Sequence, residues 1–386
     1  NHGRATISLA KIMEVGVGTL EAKFAAPTIK VRQGQKVYLN LVNVGMALRP
    51  DLFDPHTVHW HGFPNASTVF DGVPDSSISV NMAANLTYFY NVQEEGTYMY
   101  HCHVEATEHM QMGMLGNLYV TPKQDQHAQR LSGGVADPAI FGGGLTFAYN
   151  DGDGSTAYDK DVPVQIGSFD PDFHDASAFV QPLPFAAMID RYPLLNGRGY
   201  PDTLAPDDAG GALHSQQVSA LVEATQGEKV LLRISNLNVT RYYTLASTLP
   251  MRIVGQDAKL LRNERPLSDP ASPATVGLGA TTTSVPAVGL VLSGALSDDS
   301  SIRFTSGDLR GMTRPIDSAQ SDASTLVLIG DLPSAPAEGV DFEVVRTKDL
   351  SYTAYSLDVG PGISFDAIVD TTDVAVGDYL DRKSVV

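Results

Sequence analysis

The first third of the chain alternates apolar and polar positions in short runs. In "KVYLNLV" (36–42), Val37, Leu39 and Leu41 fall on one side of an extended backbone and Tyr38, Asn40 and Val42 on the other, the period of two that a half-buried strand requires. "APTIKVRQGQKVYLNLVNVG", "SSISVNMAANLTYFYNV", "GTYMYHCHV" and "GMLGNLYVTP" are all rich in Val, Ile, Tyr and Thr and punctuated by Gly, Pro and Asn. Such runs, bounded by turn residues, predict an antiparallel sandwich or barrel with no amphipathic helix in it. From Lys123 to about Asp161 the sequence turns polar and glycine-rich, as a surface connection would. Strand-like runs resume in "VPVQIGSF", "EKVLLRISNL", "MRIVGQDA", "STLVLIGDL" and "ISFDAIVD". The stretch from Pro266 to Ser301, rich in Ser, Ala, Thr, Pro and Gly, is expected to be a long loop or insertion. The expectation is an all-β chain of tandem Greek-key sandwiches: one over 1–125, a linker over 126–161, and a second over 162–386.

Composition narrows the function. With 386 residues, 43% hydrophobic and 18% charged, the chain has globular composition and room for two or three cores. A net charge of -18 disfavours nucleic acid and anionic lipid and favours cations or neutral substrates. No run reaches the length of about 20 apolar residues that a membrane span needs. The opening "NHGRATISLAKIMEVG" lacks the apolar block of a signal peptide, so if the protein is exported, to periplasm, cell surface or medium, the signal has been removed.

The histidines carry the chemistry. Six of the ten histidines and the single cysteine fall within "HTVHWHG" (56–62) and "YHCHVEATEHMQMGM" (100–114). If both segments are extended, side chains alternate between two faces. His59 and His61 then share one face and His56 takes the other; His101 and His103 share a face and Cys102 takes the other. One side gathers His56 and Cys102, and the following loop can return His109 and Met114 to them. Two imidazoles, a thiolate and a weak axial thioether form the ligand set of a blue-copper centre. The other side gathers four imidazoles, suited to copper that reduces a small oxidant. Cys102 is joined through the backbone to both His101 and His103, a short covalent route between the two sides. Structural zinc is the rival reading, but it wants four ligands in one shell. Met110 and Met112 compete with Met114 and read as packing residues, as does Trp60. His2, His127, His174 and His214 stand singly and read as structural residues.

These patterns, HxxHxHG and HCHxxxxxHxxxxM, resemble the copper signatures of the multicopper oxidases, the family of laccases and metal oxidases. The resemblance implies cupredoxin-like sandwiches. It also implies type 1 copper at His56, Cys102, His109 and Met114, a type 2 ligand at His59, and type 3 ligands at His61, His101 and His103. Cys102, His101 and His103 would then carry electrons from a small reducing substrate, a phenol or a metal ion such as Mn2+, towards dioxygen. "LNGRGYPDT", "GEKVLLRISNLNV" and "DTTDVAVGDYL" resemble the copper-free middle domain of three-domain members.

Three departures stand out. The type 1 motif lies in the first domain rather than the last, the Cys102 to His109 spacing is two residues longer than in common laccases, and a trinuclear cluster of this family takes eight histidines where this chain offers four. A missing C-terminal domain or a second chain is the expected source of the rest. A copper nitrite reductase and a type 1 copper electron carrier or copper-holding protein are the alternatives; the first leaves His103 without a task.

Two acidic stretches remain. Asp170, Asp172, His174 and Asp175 could bind a hard cation, but an acidic solvated loop is the preferred reading. "DGDGSTAYDKD" (151–161) is unlike an EF-hand because its glycine is misplaced. Sequons at Asn65, Asn85 and Asn238 carry no weight if the source is bacterial.

Overall fold

A computed structural model describes residues 24–45, 53–125, 146–179, 182–205, 218–377 and 381–385. The fold is all-β, of the cupredoxin-like sandwich type. In the first domain, β1 (Ile29–Arg32), β6 (Leu115–Thr121), β5 (Gly96–His101) and β3 (His59–His61) form one sheet in the order β1-β6-β5-β3. The pair β2 (Lys36–Val42) and β4 (Asn85–Asn91) forms the other. Tyr88, Tyr90, Leu118, Val120 and Trp60 fill the space between them. Trp60 is fully buried and stacks on Tyr90 with ring centroids 3.6 Å apart, so its role is packing, as the sequence suggested.

One helix breaks the expected pattern. Residues Ala106–Gln111 form α1, entered through Glu105 in the left-handed region. This helix is too short to stand without tertiary support.

The second domain is built on an eight-stranded sheet. Its central path runs β10 (Tyr192–Leu195), β9 (Lys160–Phe169), β11 (Lys229–Asn236), β22 (Ser364–Asp370), β12 (Tyr243–Gln256) and β13 (Lys259–Leu260), with β21 (Tyr352–Val359) and β23 (Asp381–Val385) also pairing β12. The register of β12 shifts between Ala246 and Met251. Alternate residues Val162, Val164 and Ile166, with Val230, Leu232 and Ile234, face one core; Leu231 and Ile368 face another, beneath Tyr149 and Tyr158. Helix α2 (Pro171–Phe179) follows β9.

The polar stretch before Asp161 is not all open connection. Residues 126–145 lie outside the described residues, but β7 (Thr146–Phe147) and β8 (Ala157–Tyr158) form a hairpin whose Tyr149 and Asp151 are buried. Asp151 accepts hydrogen bonds from the backbone N–H groups of Asp153, Gly154 and Thr156 and from Gln124, and Arg262 pairs with Asp153 at 2.7 Å.

The stretch from Pro266 to Ser301 is likewise strand-forming. It contributes β15 (Ala274–Val276), β16 (Ser284–Val288) and the start of β17 (Ser300–Phe304) to a seven-stranded sheet. The sheet is completed by β14 (Arg262–Pro266), β18 (Thr313–Pro315), β19 (Thr325–Val327) and β20 (Asp341–Asp349). Val285, Ile302, Phe304, Leu326 and Phe342 give it a core of its own. Small residues disguised it as loop, because its strands are three to five residues long there. This unit is set into the eight-stranded sheet between β13 and β21, and its two ends meet: Leu350 N–H donates to the Leu261 carbonyl at 2.9 Å.

A buried polar cluster joins the two domains. Arg233, on β11 and fully buried, pairs with Asp161 at 3.0 Å, donates to Thr97 Oγ1 on β5 at 2.9 Å, and lies 3.7 Å from Asp366. Its guanidinium also sits 4.8 Å over the Tyr119 ring of β6. Asp366 accepts from Thr97 and Tyr149, both at 2.6 Å, and Ser235 donates to Asn117 at 2.7 Å. Removing the guanidinium leaves the Asp366 carboxylate buried without its cation. Arg233→Ala is expected to lower unfolding stability by about 3–5 kcal/mol, read from the midpoint of urea denaturation.

Candidate metal centre

β3 and β5 pair antiparallel with His59 opposite His101, Trp60 opposite Tyr100 and His61 opposite Met99. His59, His61 and His101 therefore project from one face, while Trp60 points into the sandwich. Strand β5 ends at His101, and the chain passes through Cys102 and His103 in the next two steps. Cys102 turns to the side opposite its neighbours.

On that side, Cys102, His56 and His109 converge. The Sγ lies 3.1 Å from His109 Nδ1 and 3.9 Å from His56 Nδ1, and one ligand atom from each of the three lies within 4.8 Å of the others. Each residue is placed by a different element. His56 pairs with Val80 in an isolated bridge, Cys102 follows β5, and His109 sits on α1. Met114 is tied to the group through its backbone: its N–H donates to the His109 carbonyl at 2.9 Å and its carbonyl accepts from Cys102 N–H at 3.1 Å. Met110 packs with Leu115, Met99 and Leu237.

Three residues that sequence reasoning did not single out support the two sides of the site, Asp54 and Thr57 at the sulfur pocket and Asp71 at the imidazole bank. Asp54 spans the outer nitrogens of both imidazoles, 3.0 Å from His109 Nε2 and 3.6 Å from His56 Nε2. Held there, each ring turns its Nδ1 towards the sulfur, the arrangement that orients metal-ligating histidines. Thr57 N–H points at Cys102 Sγ at 3.4 Å, and Thr57 Oγ1 accepts from His103 N–H at 3.1 Å. Asp71 accepts from His59 Nδ1 through its carbonyl at 2.6 Å, which leaves Nε2 of His59 free. Asp54 stands two residues before His56, and that spacing was its one signal in the sequence.

The charges follow from this packing. Burial pushes the Cys102 thiol up, but hydrogen bonds with His109 and His56 outweigh it and bring it to about 6. Burial works against charge on His109, yet Asp54 and Cys102 raise it to about 10. A thiolate beside an imidazolium is the favoured state near neutrality, and a divalent metal can take the place of the imidazolium proton.

On the opposite bank, His59, His61 and His101 are all held below the ordinary histidine value. His61 Nδ1 lies 3.4 Å from His101 Nε2, and the His103 ring is centred 5.0 Å from His59 and 5.4 Å from His101. The four rings that the sequence grouped thus stand together. Burial, aided by the neighbouring imidazoles, holds His101 down to about 3 although its Nδ1 donates to the Cys102 carbonyl at 2.8 Å. Burial lowers His59 and His61 as well. The second domain closes on this bank through the turn between β21 and β22: a Cβ at Gly362 would lie 3.1 Å from His61 Nε2. Gly72, at φ +79, is required beside the bank for a similar reason, since a Cβ there would meet the Val58 carbonyl at 2.2 Å.

The acidic group around His174 does not assemble as a cation site among the described residues. Asp170 accepts from the backbone N–H of Asp172 and Ile189, Asp172 pairs with Arg191, and His174 turns to the Gln111 carbonyl. His2, His127 and His214 lie outside the described residues.

Residues 2–125 match a family described as multicopper oxidase. That match covers the segment that carries both histidine motifs and the cysteine. Among curated proteins it is similar to a putative laccase-9 of Oryza sativa subsp. japonica, at 24% identity over 64% of this chain and 36% of that protein. It is also similar to an L-ascorbate oxidase of Cucumis sativus, at 30% identity over 27% of this chain and 17% of that protein. The chain therefore spans about a third or less of the length of these relatives. The solved structure of a multicopper oxidase named mgLAC aligns with a TM-score of 0.50 at 17% identity, covering 94% of this chain and 70% of that one. Among the described residues no helix is long and apolar enough to cross a membrane.

The histidine bank has a pH signature without metal. An unfolded His101 takes up a proton near 6.5 and the folded one near 3, so the folded state is favoured above about 6.5 and loses that advantage as pH falls towards 3. In chelator, His101 alone is expected to contribute a decline of about 1.4 kcal/mol per pH unit through that window. Urea midpoints of His101→Asn should fall less steeply between pH 6 and pH 4.

Proposed function

We propose that this chain is the copper-bearing portion of an oxidase that takes single electrons from a small donor and delivers them to dioxygen. The observation that carries the reading is the convergence of the Cys102 sulfur with the inward Nδ1 atoms of His56 and His109, backed one residue away by four imidazoles. The donor set suits copper: a soft thiolate favours Cu(I), imidazole accepts both oxidation states, and closed tetrahedral zinc would leave the opposite bank without a purpose. His56, Cys102 and His109, with Met114 as the weak fourth ligand, would hold type 1 copper; His59 would hold type 2 copper, and His61, His101 and His103 type 3 copper. Copper held by these residues would supply one-electron Cu(I)/Cu(II) chemistry, four electrons and four protons being needed to convert one dioxygen to two waters.

The chain's own residues supply geometry and charge. Asp54 holds the outer nitrogens of His56 and His109 and so turns their inner nitrogens towards the sulfur pocket. The peptide bonds from Cys102 to His101 and His103 give the route between the two sides. At its 17% exposed carboxylate, Asp54 can also accept a hydrogen bond from a phenol or attract a metal cation such as Mn2+, in keeping with the acidic chain. We further propose that four more histidines come from a further domain or a second chain facing the His59 bank. The place of His103 in that bank favours the oxidase over a nitrite reductase.

Copper titration of the full chain tests the reading. Cu(II) is expected to produce a strong visible thiolate absorption that Cys102→Ser abolishes, and Asp54→Asn should weaken retention roughly 10- to 100-fold. Absence of that band with copper bound would remove the type 1 assignment. A single copper per chain in the protein with all its domains would mark an electron carrier instead.

A further inference from the structure

The short helix that carries His109 is not held by its own domain alone. α1 has six residues, and the carbonyls of its last turn must find partners beyond the helix; those of Glu108, His109 and Met110 accept from Met112, Met114 and Gly113. The other, Gln111, lies two positions beyond His109. Its carbonyl accepts a hydrogen bond at 2.8 Å from His174 Nε2, and His174 belongs to α2 of the second domain. The His174 ring packs 4.0 Å from Phe169, at the end of β9.

Phe169 in turn meets Phe24 edge-on at 6.3 Å. Phe24 sits against Gly113, where a Cβ would come within 2.8 Å of its ring, and against Gly167 on β9. Gly113, at φ +93, is the turn between His109 and Met114. Gln111 itself is buried, with its side-chain Nε2 unpaired, so the carbonyl bond is its recorded polar anchor to the second domain. The segment from His109 to Met114 is thus braced from behind by Phe24, Phe169 and His174.

We propose that His174 is a positioning residue for the sulfur-imidazole pocket: by capping the C-terminal end of α1 from the second domain, it fixes the direction in which His109 Nδ1 faces Cys102. The pocket's role as a copper site rests on the reading above; the bracing does not. Without the cap, the last turn of α1 loosens, and the amides of Met112, Gly113 and Met114, bonded to Glu108, Met110 and His109, lose protection.

The test uses the full chain as wild type, His174→Leu and His174→Gln. In the copper-free proteins, hydrogen exchange at Met112, Gly113 and Met114 is expected to rise about tenfold or more in His174→Leu relative to the amides of β5, and His174→Gln, which keeps an N–H donor, should restore most of it. With Cu(II), His174→Leu should shift the thiolate absorption and weaken affinity roughly tenfold, again recovered by Gln. A residue that merely docks the domains would lower the thermal midpoint and leave the copper spectrum unmoved. Unchanged exchange at those three amides, or an unchanged spectrum in a wild type that binds copper, overturns the proposal. If the wild type shows no thiolate band, the copper reading fails by itself and exchange alone decides the role of His174. Should His174→Leu not fold, His174→Phe, which keeps a ring and loses the donor, takes its place with the same expectations.

Discussion

The site depends on the direction change imposed by three consecutive residues. Strand β5 ends at His101, and over the next two residues the sulfur comes to lie with His56 and His109 while the His103 ring stays beside His59 and His101. Pairing with β3 then settles the partners: His59 opposite His101, and His61 diagonal to it. The full burial of Trp60 locks this register, because a slip of one residue would drive the indole out of the core and the imidazoles into it.

Around that step, each half of the site borrows support from elsewhere. The sulfur pocket is shaped by Asp54 and Thr57 from the segment before β3 and by a helix whose far end touches the second domain. The imidazole bank is flanked by the Asp71 loop and by Gly362. The Arg233 cluster keeps these borrowed parts in place, since it joins β5 and β6 to β9, β11 and β22. Its charged groups are satisfied by several partners at once, which is what makes burial of a guanidinium tolerable.

Much of this was legible in the sequence. Two-residue periodicity separated Cys102 and His56 from His59, His61, His101 and His103, because parity along an extended chain is a local property. The return of His109 was legible only as a possibility; the helix that achieves it leaves no periodic trace in six residues. Asp54 and Asp71 were not legible as partners, since an aspartate in a loop looks the same whether it faces solvent or an imidazole. His174 looked like a structural residue, and its contact with Gln111 depends on packing between domains. The sheet over 262–349 was missed in part because its short strands of Ser, Ala, Thr and Pro lack the Val and Ile richness that marks strands elsewhere.

That sheet has a further consequence. Leu261 and Leu350, the residues on either side of it, are joined by a hydrogen bond, and β14 and β20 leave them side by side. The seven-stranded unit therefore enters and leaves the eight-stranded sheet at adjoining positions, so the pairing of β12 with β21 and β22 does not run through it.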